Sequence, residues 1–173
     1  MGPRDHIRGN PAAPLTLLEY GDYECPYCGM AYSIVKQIEQ EMGDTLRFVF
    51  RNFPLAQVHP HAMQAALAAE AAGFQAEFWP MHDLLFGHQQ ALDMDHIATY
   101  ASFLAIDIER FMEDIESDQA EQRVREDFMS GVRSGVNGTP TFFINGRRHD
   151  HWYEYRVLKK AVEQAQEAAE KAT

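Results

Sequence analysis

Leu15-Thr-Leu-Leu-Glu-Tyr-Gly-Asp-Tyr-Glu-Cys-Pro-Tyr-Cys-Gly29 carries an apolar, strand-like run through a turn into two cysteines. The near-continuous apolar stretch Leu15 to Tyr20 follows the proline-rich entry Pro11 to Pro14, and it reads as a central strand covered on both faces. Gly21-Asp22 supplies the turn. Met30 to Met42 has helical periodicity and is closed by Gly43, and Leu46-Arg-Phe-Val-Phe-Arg51 alternates with period two as a second strand. Strand, crossover helix and strand form a βαβ unit, for which parallel pairing and a right-handed connection are expected.

Working outward, residues from His59 to Val136 change to a helical pattern. Ala62, Ala65, Ala66, Ala69 and Gly73 form a stripe of small residues, and Phe74, Phe78, Met81 and Leu85 a bulkier one. Pro80 fits only in a first helical turn, so that helix is expected to begin near Phe78. Helices are also expected over Met94–Leu104, Ile108–Ser117 and Gln119–Val132, with Asp93 and Asp107 as N-caps. The β pattern returns at Thr141-Phe-Phe-Ile144. Asn145-Gly146 signals a type I′ hairpin, with Arg147-Arg-His149 as partner strand and a last helix over Tyr153–Lys171. The expected organisation is an N-terminal segment (1–13), an α/β unit in two pieces (14–57 and 137–173) and an all-helical insertion (58–136).

The bulk properties narrow the function. Hydrophobic residues make up 46% of 173, including 11 Phe and 7 Tyr, so a core can form without disulfide staples. Cys25 and Cys28 are the only cysteines. A bridge between them would close a tiny loop and remove little unfolded-state entropy, which points to a reactive rather than a structural pair. The formal charge of −11, with no basic cluster beyond Arg147-Arg148, speaks against nucleic acid and against an acidic membrane surface as partners. Residues 1–10 show no apolar signal core, and no run reaches the length of a membrane span. The expectation is a cytoplasmic chain, or a periplasmic or otherwise extracytoplasmic one from which an export signal has been removed. A monomer is expected.

Thiol chemistry requires a thiolate. Cys25 precedes the first helix with Pro26 at N1, where unpaired N–H groups and the helix dipole favour an anion. Cys28 lies one turn further in. Cys25 is therefore read as nucleophile and Cys28 as resolving thiol. The rival reading is half of a zinc site, completed by histidines such as His59/His61 or His149/His151. No second cysteine pair exists, and the 8 histidines are scattered.

Glu24-Cys-Pro-Tyr-Cys-Gly29 after a strand, and Gly138-Thr-Pro-Thr141 before one, resemble DsbA-type thioredoxin-fold thiol–disulfide oxidoreductases. The resemblance spans roughly Asn10 to Ala169, with the helical block matching that family's insertion. It implies a cis Pro140 facing Cys25, with Thr139 and Pro140, together with Pro26 and Tyr27, meeting an extended substrate segment. On the residues alone, an ordinary trans proline at a strand start remains open. The resemblance also carries over Glu19 as a buried acid that accepts the Cys28 proton. The alternative is a glutamate satisfied by Arg51 on the next strand, and both can hold. The Pro-Tyr dipeptide replaces the Pro-His of the namesake oxidant, which removes one stabiliser of the thiolate, and Glu24 would raise the Cys25 pKa slightly if close. Pro-Tyr is also a glutaredoxin dipeptide. A glutathione-dependent thioltransferase, with glutathione as co-substrate, is therefore the second reading; otherwise no cofactor is expected. The expected partners are thiol- or disulfide-containing proteins and an unidentified redox partner. His82, Trp79, Phe142, Phe143, the His149–His151 trio and the acidic run Glu163–Glu170 are read as packing or solvated surface.

Overall fold

A computed structural model describes residue 2 and residues 4–171, the side chain of residue 170 excepted. Five strands, β1 (His6–Gly9), β2 (Leu15–Gly21), β3 (Leu46–Asn52), β4 (Thr141–Ile144) and β5 (Arg147–His149), form one sheet in the order β1-β3-β2-β4-β5. β2 and β3 are parallel, joined through α1 (Pro26–Met42), and every other pairing is antiparallel. Between β3 and β4 lie α2 (Ala62–Gly73), α3 (Phe78–Gly87), α4 (Met94–Ser102), α5 (Ile108–Ile115) and α6 (Asp118–Arg133); α7 (Tyr155–Glu170) follows the hairpin. This is the thioredoxin arrangement with a helical insertion.

Side-chain alternation along β2 explains how the sheet is covered. Leu15 and Leu17 join the main core with Val35 and Ile38 of α1, Phe48 and Phe50 of β3, and Leu158 and Val162 of α7. Leu18 and Tyr20 point the other way, into a smaller cluster with Phe53, Phe128, Val136 and Phe143 beneath α6. Within the insertion, α2 is buried on nearly every face. Its alanines let the neighbouring helices approach closely, and seven of its residues are buried alanines, at 62, 65, 66, 68, 69, 71 and 72.

Most local readings hold. Asp93 and Asp107 accept from the backbone N–H groups of His96 and Arg110, and Pro80 sits in the first turn of α3. Asn145 and Gly146 both have positive φ, as a type I′ turn needs. Three readings change. The helical run read from Met30 extends back to Pro26, so that Cys25 is its N-cap and Cys28 lies in its first turn, and the last helix starts at Tyr155 instead of Tyr153. The polar N-terminal segment contains β1, an edge strand antiparallel to β3. Four residues of mixed polarity carry no period that would mark it.

Candidate active site

The end of β2, the turn after it and the start of α1 place the two sulfurs. Cys25 is the N-cap of α1, in extended backbone, with Pro26 at the first helical position. Its backbone N–H donates to the Asp22 carbonyl at 3.2 Å, and its own carbonyl accepts the first helical bond, from Gly29 N–H at 3.1 Å. Pro26 and Tyr27 lie exposed on the outside of the turn, while both cysteines are buried and unbridged.

The peptide between Thr139 and Pro140 is cis. This loop, entering β4, faces Cys25, whose thiol donates to the Thr139 carbonyl at 3.5 Å. The Thr139 hydroxyl is buried and, among the described residues, has no hydrogen-bond partner. Thus Cys25, Cys28, Thr139 and Pro140, distant in sequence, converge on one point.

The two thiols differ sharply in acidity. The Cys25 pKa is lowered to about 5: the Cys28 thiol donates to it, burial works in the opposite direction, and Thr139 and the N–H groups of Cys28 and Tyr27 add further donors. Cys28 is pushed well up by burial first, then by donating to Cys25 and by the negative charges of Glu19 and Cys25; the Asp22 N–H, 3.4 Å from its sulfur, works the other way. The first sulfur thus ionises far more readily than the one behind it.

Glu19 is buried on the main-core face of β2, flanked in register by Phe50 on one side and Phe142 on the other. Among the described residues its Oε1 has no hydrogen-bond partner. Burial, and then the charge of Cys25, raise its pKa to about 8. The alternative, a pairing with Arg51, does not form. Arg51 lies in register with Tyr20, on the opposite face, and binds Asp5 at 2.8 and 3.0 Å and the Tyr20 hydroxyl at 2.9 Å. A one-residue offset across a pleated sheet forbids the contact.

Glu24 is engaged by His61. Its carboxylate accepts from the His61 backbone N–H at 2.6 Å and lies 2.9 Å from His61 Nδ1. His59 binds Asp22 instead, so the two histidines are engaged by different carboxylates. Among the described residues no three His, Cys, Asp or Glu side chains are grouped to hold a metal ion.

Three contributors escape the sequence reading. Asp22, read only as part of a turn, accepts from Glu24 N–H at 2.8 Å and from Leu55 N–H at 2.9 Å. His59 completes that set at 2.8 Å. Gln89, in the loop after α3, donates to the carbonyls of Tyr23 at 2.8 Å and Cys25 at 2.9 Å. A Cβ at Gly29 would collide with the Gln89 side chain, so glycine there admits the contact. The HxH spacing of His59 hinted at a ligand role; nothing in the sequence marks Gln89.

The sheet order, the cis proline and the CxxC at a helix start define a thioredoxin-fold protein with a buried acid behind its cysteines. A family model described as Thioredoxin matches residues 2–164, and the chain belongs to that family. Among solved structures it resembles a thioredoxin-like oxidoreductase from Silicibacter pomeroyi, at 26% identity and a TM-score of 0.85, covering 96% of this chain and 94% of that one. It also resembles BdbD from Bacillus subtilis, at 25% identity and 0.83, over 95% and 94%. Wolbachia pipientis alpha-DsbA1, at 19% identity and 0.84 over 98% and 94%, shares the fold. The likeness to DsbA-type proteins read from the two motifs is thereby borne out. Among curated proteins, the chain is 47% identical over 162 residues to a Na(+)/H(+) antiporter NhaA 1 from Salinispora arenicola, covering 94% of this chain and 25% of that protein. A Na(+)/H(+) antiporter NhaA from Herminiimonas arsenicoxydans is 44% identical over 92% and 25%. The chain spans about a quarter of the length of these relatives.

Proposed function

We propose that this chain is a thiol–disulfide oxidoreductase that exchanges dithiol and disulfide with protein substrates through Cys25 and Cys28. The observation that carries the reading is the opposed acidity of the two sulfurs. Cys25 is held as a thiolate beside the Thr139–Pro140 peptide, and Cys28 is held as a thiol near a carboxyl of high pKa. In the reducing direction the Cys25 thiolate attacks a substrate disulfide, forming a mixed disulfide and releasing one substrate thiolate. In the mixed disulfide the Cys25 charge that helps raise the Glu19 pKa is gone, so Glu19 ionises more readily, releasing its own proton to solvent; the ionised carboxylate then takes the Cys28 proton as Cys28 attacks the Cys25 sulfur. The second substrate thiolate leaves, and the two electrons of the dithiol have passed to the substrate. The oxidising direction is the reverse. Thr139 and Pro140 present backbone to an extended substrate segment, and the exposed Tyr27 and Met30 offer apolar contact beside it. No group other than the two sulfurs holds electrons in this scheme.

The direction of flow is set by the potential. A nucleophile with pKa about 5 lies between the roughly 3.5 of a strong oxidant and the ~7 of thioredoxin. We place the potential between about −120 and about −270 mV, to be measured by equilibration with glutathione. The antiporter name belongs to relatives of which this chain spans a quarter, and transport is not carried over to it. Among the described residues, no helix is long and apolar enough to cross a membrane.

The deciding experiment pairs two variants. Cys25→Ser should abolish exchange with the fold intact, whereas Cys28→Ser should stall after the first step and accumulate protein mixed disulfides. Full turnover by Cys28→Ser with glutathione supplied would replace this reading with the monothiol, glutathione-dependent one. Unchanged turnover by Cys25→Ser would remove both.

A further inference from the structure

Asp22 has almost no exposed surface, and every polar group it owns is committed. Its carbonyl accepts from Cys25 N–H and its N–H donates to Cys28 Sγ, so its backbone touches both cysteines. Its Oδ1 caps the turn at Glu24 N–H, and its Oδ2 takes Leu55 N–H and His59 Nδ1. The β3–α2 loop is thereby fastened to the redox turn through one carboxylate, and the only titratable member of that loop on Asp22 is His59.

We propose that His59 is a positioning residue of the redox pair, coupling the oxidation state of Cys25 to proton binding on its own imidazole through the Asp22 clamp. The inference rests on Cys25 being the redox-active thiolate proposed above. The acidic groups whose charge acts on His59 are Asp22, which binds it, and Glu24 and Cys25, all in the turn between β2 and α1; its loop neighbour His61 is occupied by Glu24. Burial of the ring disfavours the imidazolium, but the Asp22 bond and the charges of Asp22, Cys25 and Glu24 outweigh it, and the His59 pKa is raised. The Cys25 contribution exists only while that sulfur is a thiolate. When the Cys25–Cys28 disulfide forms, that negative charge disappears and His59 binds its proton less tightly. Reduction of the disulfide by two electrons therefore draws a proton onto His59, in addition to the one taken up by Cys28. Linkage requires that the imidazolium favour the thiolate by the same amount.

The test uses the intact protein in both redox states. The His59 ring proton would be titrated by NMR in the reduced and the oxidised protein, and the Cys25 thiolate by its ultraviolet absorbance in wild type, His59→Ala and His59→Arg. Neither readout depends on turnover. The expected results are a His59 midpoint higher in the reduced protein by about half a pH unit to one unit, a Cys25 midpoint raised by a similar amount in His59→Ala, and its recovery in His59→Arg, whose charge is fixed. A His59 midpoint identical in the two states would overturn the proposal. So would a Cys25 titration unmoved in a folded His59→Ala protein. Should His59 move as expected while wild type exchanges no disulfides, the coupling stands and the proposed function is what fails.

Discussion

Glu19 is the residue on which sequence and site chemistry meet. Its side chain lies between two phenylalanines with no cation in register, and burial outweighs the charge of Arg8, which lowers its pKa; its proposed role as acceptor of the Cys28 proton uses the high pKa that results. The same burial costs stability. A carboxyl whose folded pKa is about 8, against 4.5 unfolded, stays protonated in the fold while the unfolded chain has already ionised. Stability therefore falls as pH rises through that interval, at about 1.4 kcal/mol for each unit of difference. Glu19→Gln should raise the melting temperature at pH 8 by ~4 °C or more and change it little at pH 4.5. In stopped-flow exchange the same variant should form the mixed disulfide at the wild-type rate and resolve it more slowly, by about tenfold. Equal resolution rates would leave Glu19 a structural oddity with no part in the proton transfer.

At the level of elements, the start of α1 is held by more than its own capping. Cys25 gives no side-chain cap, and no acidic residue occupies the first turn. The carbonyls of Tyr23 and Cys25 are instead gathered by Gln89 from the loop after α3, which ties the insertion to the redox turn. Gln89→Ala should cost about 1–2 kcal/mol in urea unfolding and speed amide exchange in the first turn of α1 beyond that of the other helices. Uniform exchange would show that the contact is incidental. Gln89 also marks where reading a sequence ends. The βαβ unit, the Asp93 and Asp107 caps, the Pro80 position and the Asn145-Gly146 turn were legible, because each is a local preference expressed within a few residues. Pro140 and the cysteines were legible through paired motifs. β1, the Asp22–His59 bond and the Gln89 bridge depend on partners 37 to 66 positions away, and no periodicity reports those. Arg51 failed for a related reason: register, not proximity in a pattern, decides which face a strand residue takes.

Across the whole molecule, β1 and one buried carboxylate join the sheet to the insertion. Arg8 of β1 binds Glu39 on α1 and Asp83 on α3 and lies over the Trp79 ring at 4.5 Å, while His6 stacks on Phe78. His6 Nε2 also reaches Glu70 of α2, at 3.0 and 3.1 Å. The same carboxylate accepts from Asn52 of β3 at 2.8 Å and Arg123 of α6 at 3.1 Å. Four elements thus meet on Glu70, whose side chain is wholly buried. Removing one partner of such a set leaves the others desolvated and unpaired, so Glu70→Leu should cost about 3–5 kcal/mol, whereas an exposed pair such as Lys159–Glu41 is screened by solvent and should contribute little. Glu70→Gln keeps an acceptor for Asn52 and should fall between. A second readout separates charge from packing. Asp127 on α6 is pushed up to about 7 by burial first and by the Glu70 charge second, so its stability contribution declines as pH rises from its unfolded value of 3.8 toward 7. In Glu70→Gln that charge is gone, the Asp127 midpoint should drop, and the decline in stability over that pH interval should flatten. Glu70→Leu as stable as wild type, or an Asp127 titration unmoved in Glu70→Gln, would mean that the elements are held by their apolar contacts and that the buried carboxylate is tolerated, not used.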